Sequence, residues 1–240
     1  MMKTTTKSEG LLAHKTECLV LFCIEEKTPS GKLAELNIKL KGILNASFKN
    51  KRFEGKLNQT LLLNVTKPMR ADHLLLVGLG EGIRITADKL RQAAGTAAKL
   101  AEKSRFKTIS FYIPADNSAK DVYAGLVQSN DNFSQTVVEG SLLSLYHFDE
   151  YKQPEKEKPN RINQIILLAH SKSKVPSIRS AVSRGQKLVS AVATARDLIS
   201  QPSSTATPSY LAGKARALAK SFGMSCKILT ARDMKQLGMG

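Results

Sequence analysis

Apolar residues along this chain fall into two alternating patterns, short unbroken runs and longer stretches at three-to-four-residue spacing. The run Cys18 to Ile24 (CLVLFCI) has leucine and valine at its centre and reads as a buried strand. Thr28-Pro29-Ser30-Gly31 breaks that pattern. Leu33, Leu36, Leu40, Ile43 and Leu44 then recur at helical spacing and predict one helix reaching Asn45. The basic, glycine-containing stretch Phe48 to Lys56 reads as an exposed turn or hairpin. Thr60 to Val65 and His73 to Leu79 are two further strands, with a turn at Lys67-Pro68 between them.

The second of these strands runs into Gly78-Leu79-Gly80-Glu81-Gly82, and a helix follows whose cap is Thr86, with Asp88 in its first turn. Its stripe of Leu90, Ala94, Ala97 and Ala101, with Gly95 nearby, predicts dense packing against a sheet. Lys107 to Ile113 reads as a strand closed by Pro114. Helices are predicted over Asp121 to Val127 and over Phe133 to Phe148, the latter with Val137, Val138, Leu142, Leu145 and Tyr146 inward. Tyr151 to Arg161 is a charged, proline-containing loop, Ile162 opens the next strand, and Ile165 to Ala169 completes it. A long helix from Pro176 to Ile199 carries Ile178, Val182, Gly185, Val189 and Val192 on one face. After the polar connector Gln201 to Ala206, Thr207-Pro208 is a helix start, with threonine as cap and proline in the first turn, and that helix ends near Gly223. Cys226 to Leu229 reads as a short strand before the start of another helix. Strands alternating with helices imply an α/β layered domain, with helices on both faces of a mostly parallel or mixed sheet.

Composition narrows the class. The chain has 240 residues, of which 42% are hydrophobic, enough for a substantial core. Its longest apolar run, Cys18 to Ile24, is seven residues, far short of the ~20 that span a bilayer. Glu9, His14, Lys15 and Glu17 interrupt any signal-peptide-like apolar region, so the expectation is a cytoplasmic protein without membrane contact. Three cysteines do not suggest a disulfide framework, and Cys18 and Cys23 share one strand as small core residues. His14, His73, His147 and His170 are scattered singly, so no metal site is expected. The net charge of +17 is uneven: residues 1–150 hold 21 basic and 16 acidic side chains, and residues 151–240 hold 16 and 4. Such a field favours a polyanion, and a stand-alone nucleic-acid-binding module is therefore the alternative function, although no helix-turn-helix, zinc-finger or RNP pattern accompanies the charge.

Other candidate chemistry is thin. Strand, glycine-rich loop and helix is a phosphate-binding order, but the third glycine of G-x-G-x-x-G would fall at Ile83, and the lysine and hydroxyl of a P-loop are missing. The loop reads first as a tight connection. Ser203, Ser204, His170 and Asp197 lack a G-x-S-x-G elbow. Asp197 reads as structural, and the spacing of Glu139 and Asp149 gives no support to paired-carboxylate chemistry.

One family resemblance runs in order through nearly the whole chain. LLLVGLGEG (Leu74 to Gly82), TADKLRQAAGTAAK (Thr86 to Lys99), VVEGSLLSLYHFDEYK (Val137 to Lys152) and the stretch from ATARDLISQPSSTATPSYLA to KQLGMG at Gly240 resemble the leucine aminopeptidases, the hexameric two-metal cytosol aminopeptidase family. The resemblance implies a macro-domain-like N-terminal α/β domain at 1–174, an interdomain helix at 175–200, and an incomplete start of a metallopeptidase domain at 201–240. Family ligands for the two divalent ions, Zn or Mn, would lie beyond the position matching Gly240, and the signature NTDAEGR occurs nowhere here. No residue is therefore carried over as catalytic, cofactor-binding or metal-binding. The implied role is assembly and active-site access within a homohexamer, with peptide substrates handled only together with the catalytic domain. Where the family has asparagines in its N-x-P-x-N connector this chain has Ser200 and Ser204, which places the turn's trajectory in question. A macro-like fold also raises an ADP-ribose site at Gly78 to Gly82, and the apolar faces of Leu211 to Leu218 and Cys226 to Leu229 predict a poorly ordered tail.

Overall fold

A computed structural model of the chain describes residues 2–82, 85–114, 130–153 and 160–239. The elements in chain order are β1 (Lys3–Ser8), β2 (Cys18–Cys23), α1 (Gly31–Lys39), α2 (Ile43–Lys49), β3 (Thr60–Asn64), β4 (His73–Gly78), α3 (Ala87–Lys103), β5 (Thr108–Ile113), α4 (Asn130–Ser144), β6 (Gln164–Ala169), α5 (Val175–Ser200), α6 (Pro208–Phe222) and α7 (Ala231–Gln236). The helix expected over Asp121 to Val127 lies outside the described residues. Two compact units emerge, Met1–Ala193 and Thr194–Gly240, and the division falls inside α5.

In the first unit six strands form one sheet in the order β1-β6-β5-β2-β4-β3. Every pairing is parallel except β3 with β4. β2 lies inside the sheet and is buried at all six positions, which is why its sequence is a continuous apolar run rather than an alternation. Successive side chains of a strand point to opposite faces. Val20 and Phe22 of β2 join Leu90 and Ala94 of α3, Val137 of α4 and Ile178 of α5. Leu19, Leu21 and Cys23 join Leu33 and Leu36 of α1 and Leu44 and Phe48 of α2. The result is a mixed α/β unit with a core on each face of the sheet. Phe22 stacks on Phe111 at 5.8 Å and meets Phe133 edge-on at 5.9 Å, contacts worth about 1 kcal/mol each beyond area burial.

The small-residue stripe of α3 makes its tightest approach to a helix. A Cβ on Gly140 of α4 would sit 2.1 Å from the Arg91 carbonyl oxygen, and one on Gly95 would meet the Gly140 oxygen at 3.2 Å. Across the same contact Glu139, only 4% exposed at its side chain, accepts from Arg91 Nε at 3.0 Å and Nη2 at 2.9 Å. Its other oxygen accepts from Gln135 at 2.8 Å. A buried carboxylate so bonded ties the helices together, since removing one partner would strand a charge in the interior.

Several elements differ from the sequence reading. The helix expected from Leu33 to Asn45 is two helices, because Lys41 and Gly42 take positive φ (53° and 84°), and Asn37 Oδ1 accepts the amide of Asn45 across the break. Ile43, expected inward, is exposed. The stretch Phe48 to Lys56 is not simply exposed: Phe48 ends up in α2 and packs edge-on against Phe53 at 5.4 Å, both buried. Apolar periodicity misses β1 altogether, because an edge strand of sequence KTTTKS has no apolar side to show; its only signal is β-branched threonine.

The second unit is built by local rules. Thr207 accepts the amide of Tyr210, Pro208 occupies the first turn, and Gly223 ends α6 with φ 64°. Thr230 and Asp233 form a reciprocal capping box at the start of α7. Cys226 to Leu229 is not a strand: residues 224–230 have no ladder partner among the described residues, and strand geometry without one leaves its backbone groups unpaired.

Candidate functional site

The glycine loop after β4 is the first place to look for a ligand, and its backbone is already engaged. The Gly78 amide donates to Gln59, that of Leu79 to Cys23 and that of Gly80 to Gly55, at 2.7–2.9 Å. A Cβ on Gly78 would collide with the Lys56 carbonyl oxygen at 2.0 Å, and Gly80 has φ 78°. These glycines let the loop lie against the 55–57 turn, and three consecutive amides that would cradle a phosphate point at protein carbonyls instead. The adjoining open crevice, about 940 Å³, is rimmed by Glu25, Glu26, Glu54 and Glu81 together with three lysines. Four carboxylates make a poor seat for a pyrophosphate.

A second cluster matches a hydrolytic constellation in distance but not in access. His14 Nδ1 lies 2.8 Å from Glu9 Oε2, its Nε2 lies 2.9 Å from Ser110 Oγ, and Ser110 donates to Thr16 at 2.9 Å. The bond from His14, with burial opposing it, holds the Glu9 carboxyl below the usual carboxylate range. Yet His14 and Ser110 are fully buried, and a nucleophile must be reachable. The network instead pins the segment after β1 to β5. Sequence reading missed it because its members lie five and 96 residues apart, and His14 showed as a polar interruption and as one of four singly placed histidines.

The other candidates stay separate. Ser203, Ser204 and Asp197 are exposed, and His170, just past β6, is half-buried. In the connector, the Pro202 carbonyl accepts the amides of Thr205 and Ala206, so the backbone itself closes the turn where asparagines were missing. Glu139 is held by Arg91 and Gln135, while Asp149 pairs with Lys152 and Arg161. Burial pushes the Cys18 thiol up to about 12, with Glu17 adding to it, and burial raises that of Cys23 as well. Among the described residues, no three of His, Cys, Asp and Glu are grouped so as to hold a metal ion, and no helix is long and apolar enough to cross a membrane.

The decisive observation is therefore a match rather than a pocket: residues 20–155 fit the model of the cytosol aminopeptidase family, N-terminal domain. The chain belongs to the cytosol aminopeptidase family. It is 32% identical over 230 residues to a probable cytosol aminopeptidase of Geotalea uraniireducens (strain Rf4), a stretch covering 95% of this chain and 44% of the relative. To that of Nostoc punctiforme (strain ATCC 29133 / PCC 73102) it is 32% identical over 240 residues, covering 100% and 46%. The chain thus spans less than half the length of these relatives. Its fold is similar to a tomato leucine aminopeptidase mutant, with TM-score 0.81 and 20% identity over 100% of this chain and 46% of that one. A bottromycin maturation enzyme, BotP, in complex with Mn is similar at TM-score 0.66 and 23% identity, over 93% of this chain and 40% of that one.

Proposed function

We propose that this chain is the non-catalytic N-terminal portion of a leucyl-aminopeptidase-type metalloenzyme. Residues 1–174 are its macro-like domain, 175–200 its interdomain helix and 201–240 the start of its catalytic domain. The observation that carries this reading is the family match over residues 20–155 by a chain less than half as long as its relatives. Two divalent ions in such an enzyme supply an activated water and a polarised carbonyl, and they need a cluster of carboxylates to hold them. The described residues do not fit that requirement, so no step of hydrolysis is assigned to this chain.

In this reading the first unit is a rigid cytoplasmic body for hexamer assembly and for shaping access to the catalytic centre. Its stiffness comes from the Gly95–Gly140 contact and the Arg91–Glu139 pair. Leu211, Phe222, Leu237 and Met239, all exposed in the second unit, are surface for the remainder of the catalytic domain. The purified 240-residue chain, given leucine p-nitroanilide with Mn²⁺ or Zn²⁺, is expected to show no metal-dependent turnover. Turnover by pure protein would overturn the non-catalytic reading.

A further inference from the structure

β1 closes one end of the sheet, and its outer side is bonded to no strand among the described residues. Lys3 donates its amide to the Asn163 carbonyl at 3.2 Å. Backbone direction alternates along a strand, so Lys3, Thr5 and Lys7 face β6, while Thr4 and Thr6 turn their N–H and C=O groups outward. Side chains alternate too. Thr4 and Thr6 are in register with Ile165 and Leu167, which belong to the core on the α5 side. Lys3, Thr5 and Lys7 lie on the opposite face, where Gln164 Nε2 donates to Thr5 Oγ1 at 3.1 Å. A groove of about 420 Å³ runs beside this edge, walled by β1 and by Arg179 and Val182 of α5.

We propose that this edge receives an extended, acidic segment of a partner protein, which adds to the sheet beside β1. The outward backbone groups of Thr4 and Thr6 supply the ladder bonds of such an addition, and the flanking side chains supply its selectivity. Alternate residues of the incoming strand face Lys3 and Lys7 on one side of the sheet and Arg179 on the other. Carboxylates fit both positions and basic residues are repelled from both. A second copy of the chain fits worse. Antiparallel pairing of two β1 strands sets Lys3 of one against Lys7 of the other, and like charges directly opposite are destabilising. Among the described residues Lys7 pairs with Glu9 at 3.9 Å, with both side chains more than 40% exposed, a pair too weak to neutralise it.

Proline at the outward positions gives a selective test. Thr4→Pro with Thr6→Pro deletes the two outward donors and leaves the bonds from Lys3, Thr5 and Lys7 to β6 in place. Fluorescence anisotropy of a labelled alternating Glu-Val hexapeptide against the 240-residue chain is expected to show binding at low salt that the matched Lys-Val peptide lacks. The proline pair is expected to weaken it by about tenfold, the loss of roughly two hydrogen bonds at a protein surface. Lys3→Gln with Lys7→Gln, which keeps the backbone untouched, is expected to weaken it and to flatten its salt dependence. Equal binding of the two peptides overturns the proposal, as does acidic-peptide binding indifferent to both variants. A concentration-dependent dimer in sedimentation that the proline pair abolishes also overturns it, in favour of a second copy.

Discussion

Helix α3 of the first unit and helix α6 of the second begin in the same way and are buried very differently. Thr86 accepts the amide of Lys89 at 3.3 Å, and Thr207 accepts that of Tyr210 at the same distance. Along α3, Leu90, Ala93, Ala94, Gly95, Ala97, Ala98 and Ala101 are buried; along α6 only Ala219 is. Leu211 and Leu218 are 45% and 40% exposed, and Phe222 is 72% exposed. Caps and propensity select where a helix starts and stops, each at about 1 kcal/mol. Resistance to opening comes from the packed face, which α3 has and α6 lacks among the described residues.

Thiol chemistry gives the largest expected contrast between the units. Cys18 and Cys23 are buried in β2 and Cys226 is exposed. Burial holds the Cys18 thiol at about 12 and raises that of Cys23, and the thiolate is the reacting form. A disulfide reagent at pH 8 is expected to modify Cys226 first. Cys18 and Cys23 should follow about three orders of magnitude or more slower, at the rate at which the first unit opens. Three thiols reacting together would erase the distinction between a packed unit and an unpacked one.

Two glycines sharpen the same contrast in stability. At Gly140 a methyl group meets the Arg91 carbonyl at 2.1 Å; at Gly213 of α6 nothing lies within 4 Å. Gly140→Ala is expected to destabilise the first unit by about 3 kcal/mol in urea unfolding, because backbone rather than a movable side chain must give way. Gly213→Ala is expected to raise α6 helicity in circular dichroism, by the ~1 kcal/mol that separates alanine from glycine in a helix interior. If Gly140→Ala is tolerated without cost, the α3–α4 contact is looser than its geometry implies.

The same division explains what was legible in the sequence. β2, β4 and β6 could be read because burial on both faces writes itself as an unbroken apolar run, and α3 and α6 because their caps are local. β1 was illegible because its place is fixed by pairing with β6, more than 150 residues away. The break at Lys41-Gly42 was hidden by apolar residues that kept helical spacing on either side of it. Nor could spacing join Glu9, His14 and Ser110, which only the crossover to β5 brings together.

Acid titration gives the smallest contrast and tests whether similar local bonds have different reach. Glu9 and Asp233 both have carboxyls held below the usual range, Glu9 first by its bond to His14 and Asp233 first by the Thr230 hydroxyl, then by the Thr230 amide. A carboxyl lowered in the folded state favours folding above its ordinary value, and the contribution disappears as pH falls through the lowered one. The sign is therefore the same in both units, with weakening only at acid pH, below about 4. The consequence differs. Protonating Asp233 removes an acceptor from an exposed six-residue helix and should shift the Thr230 and Asp233 amide resonances while the rest of the spectrum stands still. Protonating Glu9 removes the partner of fully buried His14, which in turn holds Ser110 of β5, so its effect should pass into the sheet. Glu9→Gln is accordingly expected to move the acid unfolding midpoint of the first unit, and Asp233→Asn to leave that midpoint where it was. If both substitutions leave it unchanged, the Glu9–His14–Ser110 network is no more connected to the core than the cap of α7.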